Sequence, residues 1–283
     1  MNKFRGKYNH RWRRTGEALL NGMLAGGWVA RASHACGLHG RLGVSEHHIC
    51  MPLDKKLGAP LKIAFASDFH AGPSTHRAIF DSLGDAIARH RPDVLLLGGD
   101  FVSGHARNVG ELIDVLARCH APLGKFAVFG NHDLWTDEAL LLRMLAGAGV
   151  SVLNNQNIAL PAPFHTVSVC GMDDPWTGTP DIARTFKGAH ASRILLMHAP
   201  DGLLLLNGAS FDLGFAGHTH GGQIAWRDGR PLLVPHGPLC RQYCHGRYQI
   251  AGNGELIVSR GVGNSTLPVR IHADPELVIC HLQ

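Results

Sequence analysis

The chain has 283 residues, 45% of them hydrophobic, enough to fill the core of one large domain or of a domain with an arm. Its seven cysteines are an odd number without a regular framework, which argues against a disulfide scaffold and for reduced thiols. The formal charge is +5, yet residues 1–45 hold eight Lys and Arg against the single acid Glu17, a net of +7, so the remainder sums to about −2 and no basic body for nucleic acid is expected.

The arm, residues 1–45, also carries an apolar stretch over residues 18–30 that is too short to span a bilayer as a helix. Leu20, Met23, Leu24 and Trp28 fall at helical spacing, which suits either an interfacial helix with its cations toward anionic head groups or a helix packed on the domain. A third reading is an export signal, with Arg13-Arg14 as a twin-arginine pair and Ala30-Arg31-Ala32 as a small-x-small cleavage site. The globular domain is expected to occupy residues 46–283.

In chain order, residues 46–53 alternate in polarity and are expected to pair with a strand at 61–66 across the turn-rich 54–60. A helix follows over 77–90, with Ser74 or Thr75 to cap it and Pro92 to end it. Apolar runs at 94–97 and 126–129 read as buried strands, each followed by a helix, at 109–119 and 136–148. This alternation predicts parallel crossovers in the first half. Short strands at 151–153, 166–171, 223–226, 246–251, 255–259 and 276–281, broken by Gly, Pro and Asn, predict a second, more antiparallel sheet, hence a four-layer αββα sandwich.

Five segments carry the chemistry: Ser67-Asp68-Phe69-His70, Gly98-Gly99-Asp100, Gly130-Asn131-His132-Asp133, Met197-His198-Ala199-Pro200-Asp201 and Gly217-His218-Thr219-His220. Several end an apolar run, so their side chains are expected at the carboxyl ends of strands, where open α/β sheets place their ligands. Phosphoester hydrolysis needs charge neutralised on the phosphoryl oxygens, an activated water and a proton for the leaving oxygen, and two divalent metals ~3.5–4 Å apart meet the first two needs. Such a pair takes a bridging carboxylate with imidazoles and further oxygens around it. Asp68, Asp100, Asn131, His70, His198, His218 and His220 make up that set.

With these blocks in order, D-x-H, G-D, G-N-H-D, a distant H and G-H-x-H, the chain resembles the calcineurin-like metallophosphoesterases. The stretches over residues 217–223 and 259–265 resemble a bacterial branch that includes the YaeI- and YkuE-like phosphodiesterases, which extends the likeness over residues 46–283. The resemblance implies one metal on Asp68, His70, Asp100 and His220, and a second on Asp100, Asn131, His198 and His218. It assigns His132 to contact the phosphoryl group and protonate the leaving oxygen, and Asp133 to orient His132. Mixed N and O donors without thiolate accommodate Mn, Fe, Zn or Co, with Mn the expected pair of ions.

The implied activity is that of a phosphodiesterase or pyrophosphatase. An anionic lipid or lipid-linked diphosphate is the expected substrate, since relatives of this branch hydrolyse UDP-2,3-diacylglucosamine. A soluble phosphatase or cyclic-nucleotide phosphodiesterase is the rival, and an inactive scaffold of the same fold is the rival outside enzymes. Residues 1–31 would meet an anionic membrane, placing the protein in the cytoplasm on the inner membrane surface, with export as the alternative. Softer candidates are a zinc site from Cys240, Cys244, His245 and His236, a cleft-lining turn at 172–176, Trp135 as substrate platform or core cap, and Arg260 and Arg270 as phosphate-positioning or carboxylate-pairing groups.

Overall fold

The computed structural model describes residue 22, residues 24–51, residue 55 and residues 57–283. The basic run of residues 1–14, Leu20, Met23 and the end of the strand expected at 46–53 lie outside these residues.

Two six-stranded sheets form the centre. The first runs β1 (Gly43–Ile49), β12 (Glu276–Leu282), β2 (Leu61–Ala66), β3 (Val94–Leu97), β4 (Gly124–Ala127), β5 (Val150–Val152). All its pairs are parallel except β12 with β2. The second runs β10 (Gly246–Gln249), β11 (Glu255–Val258), β9 (Leu213–Ala216), β8 (Ser192–Leu196), β7 (Val167–Gly171), β6 (Gln156–Ala159).

The period of two along each strand divides the core. On β2, Ile63 and Phe65 face the second sheet, where Phe65 meets Phe215 at 5.0 Å between ring centroids, while Ala64 and Ala66 face helices. On β3, Val94 and Leu96 join the first set, and Leu95 and Leu97 the other. Strands buried on both faces need an unbroken apolar run, which is why these segments show no alternation in sequence. The helical layer on the first sheet is α2 (Arg77–His90), α3 (Gly110–Arg118) and α4 (Glu138–Gly147), which supply Leu83, Ile87, Leu116 and Leu145. The short α5 (Ile182–Phe186) and the turn at Pro200–Leu205 cover the outer face of the second sheet. The αββα sandwich expected from the sequence is the fold.

Several expectations are corrected. The strand at the start of the domain pairs in parallel with β12, not with β2, because the last strand of the chain is inserted between them. An alternating, half-exposed strand suits a sheet edge, and β12, apolar over Leu277–Cys280 and buried at every residue but His281, suits the place beside β2. Residues 151–153 and 276–281 therefore belong to the first sheet. The second sheet is parallel from β11 through β9 and β8 to β7, and antiparallel only at β10 and β6. Residues 223–226 form no strand, only bridges Ile224 to Ile271 and Ala225 to Pro231.

The cap of α2 is neither Ser74 nor Thr75 but His76, whose Nδ1 accepts from the Ala78 N–H at 3.3 Å. Ser74 and Thr75 are engaged by Asn264, through its carbonyl at 2.8 Å and its N–H at 2.9 Å. Residues 28–35 form α1 (Trp28–Ala35), which lies against the domain: Ser33 Oγ donates to the Pro268 carbonyl. Just beyond it, His39 is buried and its Nε2 accepts the His76 N–H at 2.9 Å. Leu24 is buried, while Trp28 stays exposed.

Candidate metal centre

The five blocks converge at the carboxyl ends of both sheets. Asp68 and His70 follow β2, Asp100 follows β3, and Asn131, His132 and Asp133 follow β4. His198 follows β8, and His218 and His220 follow β9. Strand-like pairing continues past the strand ends and holds these loops: Asp68 N–H donates to Gly99 O at 2.8 Å, His70 N–H to Asp100 O at 2.9 Å and Gly217 N–H to His198 O at 2.8 Å. Five of the residues, Asp68, His70, Asp100, His218 and His220, hold φ between 44° and 69°. Non-glycine residues enter this region at a cost that the surrounding hydrogen bonds must offset, and such strain concentrates at functional sites.

The ligand atoms face one another. Asp68, His70 and His220 form one group and Asp100, His198 and His218 another, each with its donor atoms within 4.8 Å of one another. His70 and Asp100 also lie in a third such group with His132, so the first two are contiguous. His70 Nε2 is 3.1 Å from His220 Nε2 and 3.5 Å from an Asp100 oxygen. His198 Nε2 lies 3.2 Å from both Asn131 Oδ1 and His218 Nδ1, and 3.4 Å from Asp100. Sequence reasoning named all seven of these residues, and the structure brings all seven together.

The electrostatics fit a cation. Burial first, then the neighbouring imidazoles, push His70 and His218 down to about 3, and His220 is driven well below its usual range, so these rings present lone pairs at neutral pH. Burial opposes charge on His198 too, but Asp100, Asp68 and Asp174 outweigh it and hold a proton on that ring. A cluster of lone pairs and carboxylates that keeps one buried proton for balance is one in which a divalent ion can take the proton's place.

Around this centre, Ser67 Oγ donates to Asp68 Oδ2 at 2.6 Å, and His198 Nδ1 is fixed by the Gly98 carbonyl at 2.7 Å. The latter leaves Nε2 for a metal, the usual role of such an outer hydrogen bond. His132 is tied down by its own N–H, which donates to Asp100 Oδ1 at 2.9 Å, and its ring sits 4.6 Å from that of Trp135 and 4.8 Å from that of His70.

Asp133 does not orient that ring. Its oxygens accept the Phe101 N–H at 2.8 Å and the Gly130 N–H at 3.0 Å, whereas His132 Nδ1 is buried without a hydrogen-bond partner among the described residues. Asp133 is a brace between the loops after β3 and β4. Burial and the nearby Asp100 raise its pKa well above the carboxylate range.

The softer candidates resolve differently. Cys240 Sγ donates to Asp201 Oδ2 at 3.1 Å, burial pushes the Cys244 thiol up to about 11, and His236 packs its ring on Trp176, so these groups do not converge as a zinc site. All seven cysteines are free thiols. Residues 172–176 make a turn in which Asp174 Oδ2 accepts the Thr177 N–H at 2.6 Å. Arg260 pairs with Glu276 at 3.1 Å. Arg270 is buried and donates to the carbonyls of Arg260 at 2.9 Å and Ala273 at 2.8 Å, while its Nη2 lies 3.3 Å from His220 Nδ1.

Missed in sequence was the packing role of the glycines that head three of the blocks, Gly98, Gly130 and Gly217. A Cβ on Gly217 would lie 2.3 Å from Asp68 Oδ2, and one on Gly130 2.3 Å from Asp100 Oδ1. Gly217→Ala is expected to destabilise the fold by ~1–3 kcal/mol through this overpacking. It should also strip metal from the Asp68 group, as read by elemental analysis beside a denaturation curve. Full metal content with an unchanged midpoint would show that Asp68 yields freely.

A His and Asp cluster at the carboxyl ends of an αββα sandwich defines a metal-binding hydrolase. The chain belongs to the calcineurin-like phosphoesterase family, whose model matches residues 61–222, and it is a metal-dependent phosphoesterase. It is similar to the uncharacterized metallophosphoesterase YkuE of Bacillus subtilis, 29% identical over 94% of this chain and 96% of the relative. It is 33% identical to the phosphodiesterase YaeI of Escherichia coli, over 81% of this chain and 84% of that one. An uncharacterized metallophosphoesterase of Aquifex aeolicus is 31% identical over 78% of this chain and 85% of the relative.

Proposed function

We propose that the chain hydrolyses phosphodiesters or pyrophosphates with two divalent cations, one held by Asp68, His70, Asp100 and His220, the other by Asp100, Asn131, His198 and His218. The observation that carries this is the pair of contiguous donor groups with Asp100 between them. Manganese is the favoured ion, and iron, zinc and cobalt suit the same donors. Bound cations at such a site neutralise phosphoryl charge and acidify water.

The chain's own residues do the rest. His132, on the wall of the cleft, contacts the phosphoryl group and gives a proton to the leaving oxygen, and Asp133 keeps the loops that carry Asp100 and His132 in register. A panel of bis-p-nitrophenyl phosphate, p-nitrophenyl phosphate and a lipid-linked diphosphate, run with metal-stripped and Mn-loaded protein, tests the reading. Activity confined to the monoester would sink the diester assignment and favour a soluble phosphatase.

The basic arm supports an anionic amphiphile as natural substrate, a lipid or lipid-linked diphosphate of the UDP-2,3-diacylglucosamine kind, met at the inner face of a membrane. Among the described residues no helix is long and apolar enough to cross one. Because His39 is buried in the domain, the part to remove is residues 1–21, which include six Lys and Arg. Each cation contributes about 1 kcal/mol near an anionic surface, so the truncation should float poorly with anionic liposomes while turning over a small diester. The full chain should leave liposomes as salt rises, since screening acts on this exposed charge. Failure of both proteins to float at low salt would remove the membrane reading.

A further inference from the structure

The cleft over the metal-binding residues has a volume near 380 Å³, and His70, Asp100, Asn131 and His132 are among the residues that line it. An apolar wall of the same cleft is made by Ile224, Leu233, Val234, Pro235 and Leu267. Two of these continue out of the cleft onto the surface, with Leu233 74% and Leu267 52% exposed. Leu232 and Ile271, on the same two segments, are exposed as well. Large aliphatic side chains scattered singly on a surface need no explanation, but a contiguous patch running into a catalytic cleft marks a binding surface.

The wall is built rather than incidental. The Gln223 side chain donates to the carbonyls of Ser265 at 3.1 Å, Leu267 at 2.7 Å and Val269 at 3.1 Å, and accepts the Ser265 N–H at 2.9 Å. This one amide fastens the segment carrying Leu267 to the segment carrying Ile224, four residues after His220. Gln223 and Thr266 both hold left-handed backbone, φ 57° and 60°. Strained residues pinned by side-chain hydrogen bonds keep a surface preformed, so an incoming group need not order it.

We infer that the wall formed by Ile224, Leu233, Val234, Pro235 and Leu267 is a subsite for an alkyl substituent esterified to the scissile phosphate. It selects substrates whose leaving or retained group is apolar. The occupant follows from continuity: a group that touches this wall from inside the cleft is within reach of the phosphorus held over Asp100 and His132, so it belongs to the substrate molecule. The inference rests on the phosphodiesterase reading of the same cleft and adds the chemistry of the group beside the phosphate.

The test is a series of alkyl p-nitrophenyl phosphates, methyl to octyl, below their micelle concentrations, on the full Mn-loaded chain. A fully buried methylene is worth about fourfold, and one covered on a single side about twofold, so kcat/KM should rise on the order of 10²-fold from methyl to octyl, mostly through KM. Leu233→Ser and Leu267→Ser, both at exposed positions that tolerate a polar group, should each cut the octyl-to-methyl ratio several-fold. Gln223→Ala should also lower that ratio by loosening the wall. A ratio near one in the unmodified protein, or a ratio unmoved by the two serine substitutions, overturns the subsite. If those substitutions instead abolish liposome flotation and leave the ratio intact, the rim is a bilayer contact and the subsite is again overturned. Failure to hydrolyse any diester, methyl included, refutes the phosphodiesterase reading itself and is thereby distinguished from loss of the subsite alone.

Discussion

Asp100→Asn is expected to abolish hydrolysis and to lower metal content in both donor groups at once. Its carboxylate lies 3.5 Å from His70 Nε2 and 3.4 Å from His198 Nε2, one imidazole from each group, and no other carboxylate is so placed among the described residues. Replacing one oxygen by an amide nitrogen removes the charge that two cations would share. It also alters the acceptor of the His132 N–H, if the amide turns that way. Elemental analysis beside turnover of bis-p-nitrophenyl phosphate decides it. Two ions per chain with retained turnover would show that the ions do not share Asp100. By comparison, His220→Ala should empty the group containing Asp68 and spare the other, because His220 Nε2 lies 3.6 Å from Asp68 and 3.1 Å from His70, its two partners in that group.

His132→Ala is expected to keep the fold and the metals while losing on the order of 10²–10⁴ in kcat, the usual contribution of a positioned acid or base. His132 reaches Asp100 through its backbone N–H, a contact alanine retains, so the loss isolates the ring. The loss should shrink for p-nitrophenolate, which leaves without a proton, and grow for alkoxide leaving groups. Equal losses across that series would show that His132 binds phosphate without protonating anything. Asp133→Asn makes the contrast. It keeps the size of the side chain, but the amide nitrogen is a donor, so one of the two backbone N–H groups now received by the Asp133 oxygens loses its acceptor. Expected are a fall in stability of about 1–3 kcal/mol and weakened metal binding, and no change in the leaving-group dependence.

Much of the site was legible because its chemistry is local in sequence. Each block places an acid or imidazole within a few residues of the end of an apolar run, and a strand end is a fixed point in an α/β fold. The left-handed backbone at Asp68, Asp100 and His218 was not legible, since it is imposed by neighbouring loops and not by residue type. Nor was the part played by Asp133: its place beside His132 in sequence suggests a partner for that ring. Its carboxylate points instead to N–H groups of a loop that adjoins it only in space.

The same division runs through the fold. Helix α2 was readable at its full length, because apolar spacing and the following Pro92 are properties of the segment itself. Its cap was not, because Ser74 and Thr75 are engaged by Asn264 from the far end of the chain. Strands β2 and β3 were evident as segments, since burial on both faces demands continuous apolar residues. Which strand lies beside β2 was decided only in three dimensions. The sequence by itself determined the residue types that gather at the cleft, the strand ends that deliver them and the charge carried by the arm. Tertiary structure decided the sheet to which β5 and β12 belong, the brace made by Asp133 and the apolar wall of the cleft that holds the metal-binding residues, because each depends on contacts between segments far apart in the chain.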